Sequence, residues 1–459
     1  MKIANKTTSA VSLVEAALEK AKKYQKTHHI FTFINEKAAL EKAREIDEKI
    51  QKGESVGRLA GVPYALKDNF LSKQGETTAS ANILTGLTSP LDATCVEKLE
   101  NEGAILIGRT NLDAFAHGSS TENSFFGPTK NAFDTERVAG GSSGGSAVAV
   151  ALDIVEFATG TDTGGSIRQP ASFNGVYGIK PTYGAISRYG VVAMASSTDV
   201  LGFFAKSASD LDLLMSVASG RDEKDMTSLP DFYGTEDKKL EKKKLGVVKE
   251  FLESKALNPE IKKSLEEKVA LARAKGYEIV ELSMPTLEYA LAVYYIIQPA
   301  EVASNLSRYD GIRYGFRSKD SKDLTSLYEN TRDEGFMREN KRRIMIGNFV
   351  LSSGFYDAYF LKAAKARTLI INEFEKAFEK VDAILSPVAP NPAFKLGEKV
   401  NDPVAMYLED VMSVPVNLAG VPAVAFPSGT SKDNLPLGLQ LIGPRRSDKN
   451  LLEIVEELA

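Results

Sequence analysis

Residues 140–168 constrain the fold of this chain more than any other part of its sequence. A loop rich in glycine and serine lies at each end of this stretch, and the apolar run 147–158 separates the two loops. Glycine lets the backbone approach a ligand closely and adopt positive φ angles. Serine supplies hydroxyl groups that attack a substrate or relay protons. We therefore expect the chemistry of the protein to lie at these two loops.

The second loop contains four successive small residues, Thr163, Gly164, Gly165 and Ser166. Successive backbone N–H groups in such a turn converge on one concavity and hold an anion, as acyl transfer requires for the developing oxyanion. Ser166 ends the run, so its hydroxyl is placed to attack a carbonyl whose oxygen lies among these amides. A simpler interpretation, a tight turn between a strand and a helix, stays open at this point.

A nucleophilic serine needs a base, and the histidines of the chain are His28, His29 and His117. The first loop fits Gly-x-Ser-x-Gly twice, centred on Ser142 or Ser143, a pattern typical of the α/β-hydrolase nucleophile elbow. In those enzymes the histidine follows the serine in the chain, whereas all three histidines precede Ser142 here. The lysine of a phosphate-binding loop is absent as well. The first loop is therefore neither an elbow nor a phosphate loop.

An alternative base lies upstream, where the short apolar segment 61–66 leads into Lys67. Such a segment predicts a buried strand that ends at the lysine. Desolvation disfavours the charged ammonium group, so a lysine in a dry site loses its proton more readily. Neutral lysine then serves as a base, and Ser-Lys pairs are a known variant of the catalytic triad. Taken alone, however, a lysine in this position more often lies on the surface.

Three separated motifs occur in order: Gly-Val-Pro-x-x-x-Lys-Asp at 61–68, Gly-Gly-Ser-Ser-Gly-Gly-Ser at 140–146 and Asp-Thr-Gly-Gly-Ser-Ile-Arg-Gln-Pro-Ala at 162–171. Together they resemble the motifs of the amidase signature family, including the separation of its two serines (166 − 142 = 24 residues). The resemblance implies that Ser166 is the nucleophile and Ser142 a bridging serine, held by a cis peptide bond from Gly141. It also implies that Lys67 is the general base at the end of the relay.

Composition limits the class of protein. The 459 residues are 43% hydrophobic and 26% charged, an ordinary balance for a globular protein. We find no uncharged apolar stretch of about 18 residues and no apolar leader, so we expect neither a transmembrane helix nor a signal peptide and predict a cytoplasmic location. The single cysteine, Cys95, excludes an internal disulfide and a cysteine-based zinc site, and we expect no metal. The net charge of −4 argues against direct binding of nucleic acid.

Short apolar strands alternate with helical segments, as at 61–67 and 104–108, which predicts βα units. We expect one large α/β domain over residues 1–459. Its central mixed, mainly parallel β-sheet is expected to be covered by helices on both faces, as in the amidase signature fold. Within the domain we predict an N-terminal helical segment (1–60), a core that carries the catalytic motifs (61–220) and a remainder that completes the sheet and supplies substrate-pocket helices (245–459).

Residues 111–130 are predicted to form a long loop, because glycine, serine, threonine and asparagine are frequent there. We expect this loop to border the active site. His117, next to its most polar part, is interpreted as a structural residue rather than a catalytic one.

A finer resemblance extends over nearly the whole chain. Segments such as 119–124, 304–315 and 415–422 resemble the A subunits of bacterial amidotransferases that act on Glu-tRNA(Gln) and Asp-tRNA(Asn). These enzymes are heterotrimers, so the resemblance implies that glutamine is hydrolysed here, that ammonia passes to the B subunit and that the small C subunit bridges the two. It implies no cofactor in this chain, because the B subunit uses ATP and Mg²⁺ and binds the mischarged tRNA.

Free glutamine carries an α-carboxylate and an α-ammonium group, so its pocket needs an arginine and a carboxylate. By resemblance Arg343 binds the carboxylate, Asp410 binds the ammonium group and Tyr294 lines the pocket, with Arg342 and Tyr295 as alternatives one residue away. The residues alone favour a solvated basic pair at 342–343 and a surface acid at 410. A stand-alone amidase for another small amide and a non-catalytic scaffold of the same fold are the competing functions.

Overall fold

The computed structural model describes residues 1–5, 7–254 and 256–459. In this part of the chain, α-helices pack on one sheet, joined by short 3₁₀ turns and a π-helical segment, Tyr356–Leu361. The strands are β1 (Phe31–Ile34), β2 (Pro63–Lys67), β3 (Ile105–Thr110), β4 (Phe157–Asp162), β5 (Tyr177–Lys180), β6 (Val200–Ala205), β7 (Lys244–Val248), β8 (Glu278–Leu282), β9 (Ala383–Pro387), β10 (Ala423–Thr430) and β11 (Pro436–Ile442). The helices are α1 (Ala10–His28), α2 (Glu36–Lys52), α3 (Thr94–Asn101), α4 (Gly144–Ala151), α5 (Arg168–Phe173), α6 (Ala208–Ala218), α7 (Lys249–Leu252), α8 (Pro259–Ala274), α9 (Ala290–Asn305), α10 (Leu324–Gly335), α11 (Arg338–Leu351), α12 (Lys362–Lys380), α13 (Pro403–Leu408), α14 (Val414–Ala419) and α15 (Asp448–Leu458).

The sheet draws its strands from both halves of the chain. Their order is β1-β3-β2-β4-β6-β5-β10-β11-β9-β7-β8. Near the middle β5 pairs with β10, so a strand that follows the serine motifs lies beside a strand from near the end of the sequence. The motifs of the first half are therefore held in a sheet that the last strands complete.

The mixed sheet is confirmed, but parallel pairing does not dominate it. Parallel pairs occur on the two flanks, where β2 pairs with β3 and β4, and β7 pairs with β8 and β9. The six pairs that involve β1, β6, β10 or β11 are antiparallel. The βα alternation that predicts parallel strands describes the flanks and not the centre.

Helices cover both faces of the sheet, as predicted. Because successive strand residues point to opposite faces, Tyr64 and Leu66 belong to one apolar core while Ala65 belongs to another. Residues of α1, α2 and α4 pack in the core that contains Ala65, and residues of α6, α8, α12 and α15 pack in the other. Strands buried on both faces hold the site on a rigid layer.

The apolar run 147–158 is not one element. It is divided between α4 and β4, and the connection contains Asp153, which adopts a positive φ of 53°. Asp is one of the few residues that adopt this conformation readily. The first glycine and serine loop therefore leads into α4, and the second loop follows β4.

Candidate active site

Parallel pairing of β2 with β4 brings the two key segments together. Lys67 is the last residue of β2, and Asp162 is the last residue of β4. The carboxyl ends of parallel neighbours meet at the same edge of a sheet, which is where ligands bind in open α/β sheets. Lys67 and the turn formed by residues 163–166 therefore lie at one place.

The first serine loop reaches the same place. The peptide bond between Gly141 and Ser142 is cis, as the resemblance implies. Lys67 Nζ lies 2.9 Å from Ser142 Oγ and 2.7 Å from Ser143 Oγ. The backbone N–H of Ser143 donates to the carbonyl of Ser166 at 3.2 Å. The structure therefore gathers the lysine, the first serine loop and the backbone of the second loop.

Lys67 is fully buried and has hydroxyl groups rather than a carboxylate as its nearest partners. Burial lowers the pKa of Lys67 to about 7, against the opposing effect of the more distant carboxylates of Asp113, Asp162 and Asp199. With a pKa of about 7, Lys67 is uncharged in about half of the molecules near neutral pH. The uncharged amine is the form that a general base requires.

The hydroxyl groups around Lys67 are oriented by a further bond. Ser143 Oγ donates to the Thr161 carbonyl at 3.2 Å, so towards Lys67 it acts as an acceptor. Thr161 Oγ1 lies 2.8 Å from Nζ and accepts a bond from Asn69 Nδ2 at 3.2 Å. A neutral amine has two N–H groups and one lone pair. If the two N–H groups serve Ser143 and Thr161, the lone pair faces the Ser142 hydroxyl.

The turn at residues 163–166 is packed so closely that side chains do not fit. A Cβ atom on Gly164 would lie 2.7 Å from Tyr294 Oη, and one on Gly165 would lie 2.3 Å from Ser413 Oγ. Gly165 also has a φ of 133°, a conformation that is open to glycine and strained for other residues. Both glycines are therefore required by the turn.

Three amides of this turn have no acceptor among the residues that the structure describes, namely those of Thr163, Gly164 and Ser166. The fourth, the N–H of Gly165, donates to Asp162 Oδ1 at 2.8 Å. Of the four amides predicted to stabilise an oxyanion, three are thus free to bind a ligand and one supports the turn.

Asp162 fixes the turn through a fully buried ion pair. Its carboxylate accepts bonds of 3.0 Å from both Nε and Nη2 of Arg168, and one of 2.9 Å from Asn417 Nδ2. Burial opposes ionisation, but the charge and hydrogen bonds of Arg168, together with smaller effects of Lys180 and Asn417, outweigh it and hold the pKa of Asp162 below its usual range. Asp162 is therefore an anion that accepts bonds from the backbone N–H groups of Gly165 and Ile167.

The predicted nucleophile, Ser166, is less constrained. Ser166 is 7% exposed, and within the described residues its hydroxyl has no hydrogen-bond partner. The Ser142 hydroxyl is bonded to Lys67. The step from Ser166 to Ser142 therefore stays a prediction, whereas the contact of Ser142 with Lys67 is present in the structure.

The predicted glutamine contacts border a second part of the site. Asp410 accepts a bond of 2.8 Å from Ser119 Oγ and one of 2.9 Å from Tyr295 Oη. Burial raises the pKa of Asp410 to about 7 although these bonds favour the anion. Tyr294 faces Gly164, so the two tyrosines contact different parts of the site, and both remain candidates.

The two arginines differ in burial. Arg343 is 3% exposed, whereas the side chain of Arg342 keeps 28% of its surface exposed. Glu339 pairs with both, and its Oε1 lies 2.9 Å from Arg343 Nε. The Arg343 guanidinium also lies 5.3 Å from the centre of the Tyr295 ring. Burial beside Tyr295 favours Arg343 as the residue that faces a substrate.

A cavity of about 170 Å³ lies between α11 and the loop at 111–130. Ser119, His117, Arg342 and Arg343 line it, and Ser119 connects it to Asp410. Ser166, Tyr294 and Asp410 are not part of its lining. The loop therefore lines this cavity and contacts Asp410, and its position at the border of the active site stays a prediction.

Several residues of the site carry no signal of their own in the sequence. Ser119 and Thr161 reach it through tertiary contacts with segments far away in the chain. Ser143 lies in the motif, but only the structure shows that its hydroxyl contacts Lys67. Glu339 is recognisable in retrospect, because it precedes Arg343 by four residues, the spacing of an ion pair on one helix face.

Two searches of the described residues bear on cofactors and membranes. No group of three or more His, Cys, Asp or Glu side chains in that part of the chain is arranged to hold a metal ion. None of its helices combines the length and the apolar character needed to cross a bilayer.

Comparison with known proteins agrees with this geometry. The sequence profile of the Amidase family matches residues 12–452. The A subunit of glutamyl-tRNA(Gln) amidotransferase from Coxiella burnetii is 50% identical over 454 residues, which cover 98% of this chain and 93% of that protein. The protein of the same name from Carboxydothermus hydrogenoformans is 48% identical over 457 residues, covering 99% and 94%.

Solved structures show the same fold. The crystal structure of the glutamyl-tRNA(Gln) amidotransferase A subunit from Thermotoga maritima superposes with a TM-score of 0.80 at 39% identity, covering 96% of this chain and 90% of that one. A structure described as an amidase gives a TM-score of 0.82 at 32% identity, covering 98% and 96%. The family profile covers most of the chain, the three signature motifs occur in order, and a buried lysine lies against the first serine loop. This chain therefore belongs to the amidase family.

Proposed function

We propose that this chain is the A subunit, the glutaminase, of a tRNA-dependent amidotransferase. The observation that supports the proposal most is the fully buried Lys67 amine, which lies 2.9 Å from Ser142 Oγ in a chain half identical to named A subunits. A stand-alone amidase is the weaker candidate, because a solved structure described as an amidase is 32% identical to this chain, against 50% for a named A subunit.

The reaction begins with Lys67 in its neutral form. Ser142 passes its hydroxyl proton to Lys67 Nζ and takes the hydroxyl proton of Ser166. The Ser166 oxygen then attacks the side-chain carbonyl carbon of glutamine. The relay returns a proton to the leaving nitrogen, and ammonia departs. Water then gives a proton to the same relay and attacks the γ-glutamyl ester, and Ser166 Oγ takes the proton back as glutamate leaves.

The free amides of Thr163, Gly164 and Ser166 are the proposed oxyanion hole. Each well-placed donor of this kind contributes about 3–4 kcal/mol to the stability of the transition state in comparable sites. Asp162 and Arg168 keep the turn rigid, so these donors need no reorganisation as charge develops on the oxygen.

Glutamine selection is proposed to use Arg343 for the α-carboxylate and Asp410 for the α-ammonium group, with Tyr294 or Tyr295 against the substrate. The buried guanidinium of Arg343 presents a planar donor that suits a carboxylate. The ionised carboxylate of Asp410 binds the ammonium group, and the positive charge of that group in turn favours loss of the Asp410 proton.

The remaining steps belong to the other members of the heterotrimer. We propose that ammonia passes to the B subunit, which binds mischarged tRNA and uses ATP and Mg²⁺, and that the C subunit joins the two. This chain is proposed to need no cofactor of its own and to act in the cytoplasm, where tRNA is aminoacylated.

Replacing the nucleophile tests the function. Ser166→Ala is expected to abolish ammonia release from glutamine, because no hydroxyl remains to attack the amide. Its complex with the B and C subunits is expected to retain transamidation with added ammonium chloride. The matched control is Ser209→Ala, which changes an exposed serine on α6. Glutamine-dependent activity in Ser166→Ala would refute the assignment, and wild-type ammonia release that does not rise when the two partners are added would favour the stand-alone amidase.

A further inference from the structure

His117 has a buried ring nitrogen without a partner. The residue is completely inaccessible to solvent, and within the described residues its Nε2 atom has no hydrogen-bond partner. Buried polar atoms in native proteins are almost always hydrogen-bonded, so an exception calls for an explanation. A hydrogen bond from this nitrogen to a bound ligand is one such explanation.

The neighbouring Asn340 fixes which nitrogen of His117 carries the proton. Asn340 Oδ1 accepts a bond of 3.1 Å from the N–H of Met337, and Asn340 Nδ2 donates at 2.8 Å to the carbonyl of Ala114. Turning the amide over would lose both bonds. Nδ2 therefore also donates to His117 Nδ1, at 2.6 Å. Because Nδ1 accepts, the neutral ring carries its proton on Nε2.

The ring stays neutral across the working pH range. Burial, and to a smaller degree the charge of Arg343, hold the pKa of His117 well below its usual value. Nε2 is therefore a fixed N–H donor rather than a group that switches between donor and cation.

This donor lies in the lining of the cavity that adjoins the proposed glutamine contacts. His117 and Arg343 both line the 170 Å³ cavity, together with Ser119, whose hydroxyl is bonded to Asp410. Three carboxylates also line the cavity. Glu339 is paired with Arg343 and hydrogen-bonded to Tyr407, and Asp113 accepts backbone bonds from residues 121 and 123. Glu122 accepts a bond from the N–H of Gly397, and its Oε2 atom has no partner among the described residues. The His117 imidazole and the Arg343 guanidinium therefore lie side by side in the lining as two hydrogen-bond donors.

We propose that His117 is a substrate-binding residue that donates its Nε2 hydrogen to the α-carboxylate of the substrate, beside Arg343. The inference rests on the proposed glutaminase function and replaces the structural role expected for His117 from the sequence. It makes His117 a specificity residue, because a substrate without the carboxylate leaves the buried donor unpaired.

The test compares two variants and two substrates in the complete heterotrimer. His117→Met removes the donor and keeps an apolar side chain of similar length, whereas His117→Gln retains an N–H group near the position of Nε2. L-Glutamine is compared with 4-aminobutanamide, which keeps the side-chain amide and the amino group but lacks the carboxylate. Ammonia release gives kcat and KM for each pair.

His117→Met is expected to raise KM for glutamine about 10- to 100-fold, the range for a lost hydrogen bond to a charged group, with kcat changed less than about 3-fold. Its kcat/KM for 4-aminobutanamide is expected to stay within about 3-fold of wild type, and His117→Gln is expected to recover part of the glutamine affinity. Melting temperatures report whether each variant folds.

Two outcomes would overturn the inference. An unchanged KM for glutamine in His117→Met would show that the donor does not bind substrate, and equal losses for both substrates would assign a structural role. If His117→Met does not fold, the same comparison is made with His117→Leu, and a folded His117→Leu variant whose preference for glutamine over 4-aminobutanamide equals that of wild type would refute the inference. Failure of the proposed function is a separate result, because wild-type enzyme would then release no ammonia from glutamine.

Discussion

In the proposed mechanism, the acid side of the pH profile depends on two buried groups with opposite charge requirements. Lys67 has to be neutral for its proposed role as a base, and Asp410 has to be ionised for its proposed role in binding the ammonium group of glutamine. Burial brings both groups to the same range, since it lowers the pKa of Lys67 to about 7 and raises the pKa of Asp410 to about 7. Both required forms are therefore gained as pH rises through neutrality.

The size of the effect follows from these two values. At pH 6 about one tenth of each group is in its required form, so about one hundredth of the free enzyme is competent. At pH 8 most of the enzyme is competent. We expect kcat/KM for glutamine to rise about 100-fold between pH 6 and pH 8, with a limiting slope near 2 on a logarithmic plot.

Asp410→Asn separates the two groups. With Asp410 removed, kcat/KM is expected to be lower at every pH and to rise only about 10-fold over the same interval, with a slope near 1 from Lys67 alone. In wild-type enzyme saturated with glutamine, the bound ammonium group keeps Asp410 ionised, so kcat is also expected to show a slope near 1. Exposed Asp402 at the start of α13 supplies the matched control, Asp402→Asn.

The assay is initial-rate ammonia release in buffers of constant ionic strength, with melting temperature recorded at each pH. A wild-type slope near 1 for kcat/KM would refute the role of one of the two groups. A slope that stays near 2 in Asp410→Asn would show that the second proton belongs to another residue.

Three further outcomes are expected. Arg343→Met should raise KM for glutamine about 10- to 100-fold in steady-state assays, while Arg342→Met, which changes the more exposed arginine, should change it less than about 3-fold; the reverse order would exchange their roles. Gly165→Ala should abolish ammonia release, because its Cβ atom would lie 2.3 Å from a buried hydroxyl, whereas Gly354→Ala, also at a positive φ (88°) but in open space, should stay active. Arg168→Met should lower the free energy of unfolding by about 3–5 kcal/mol in denaturant titration, because it leaves a buried carboxylate unpaired; an unchanged value would contradict the ion-pair argument.

The sequence pointed to the residues of the proposed relay because their requirements are local. A turn that presents successive amides needs glycine, and the Cβ distances at Gly164 and Gly165 show why. The apolar segment before Lys67 indicates a buried strand, and burial is what moves the pKa of its last residue. Local backbone geometry and solvation therefore left a clear record in the sequence.

The strand pairing at the centre of the sheet has no such local signal in the sequence. β6 is buried along its whole length, so it lacks the alternation of apolar and polar residues that marks a half-exposed strand. Its antiparallel pairing with β4 and β5 depends on contacts between distant segments. For that reason a pattern of βα units predicted more parallel pairing than the sheet contains.

The sequence by itself determined which side chains are suited to the chemistry, because the role of each motif residue depends on the residues next to it in the chain. Only the tertiary structure decided which of them meet. Ser119 and Asp410 are 291 positions apart and share a hydrogen bond, and the proton position on His117 is set by Asn340, 223 positions away. Such contacts depend on how strands and helices pack, which no local pattern of residues encodes.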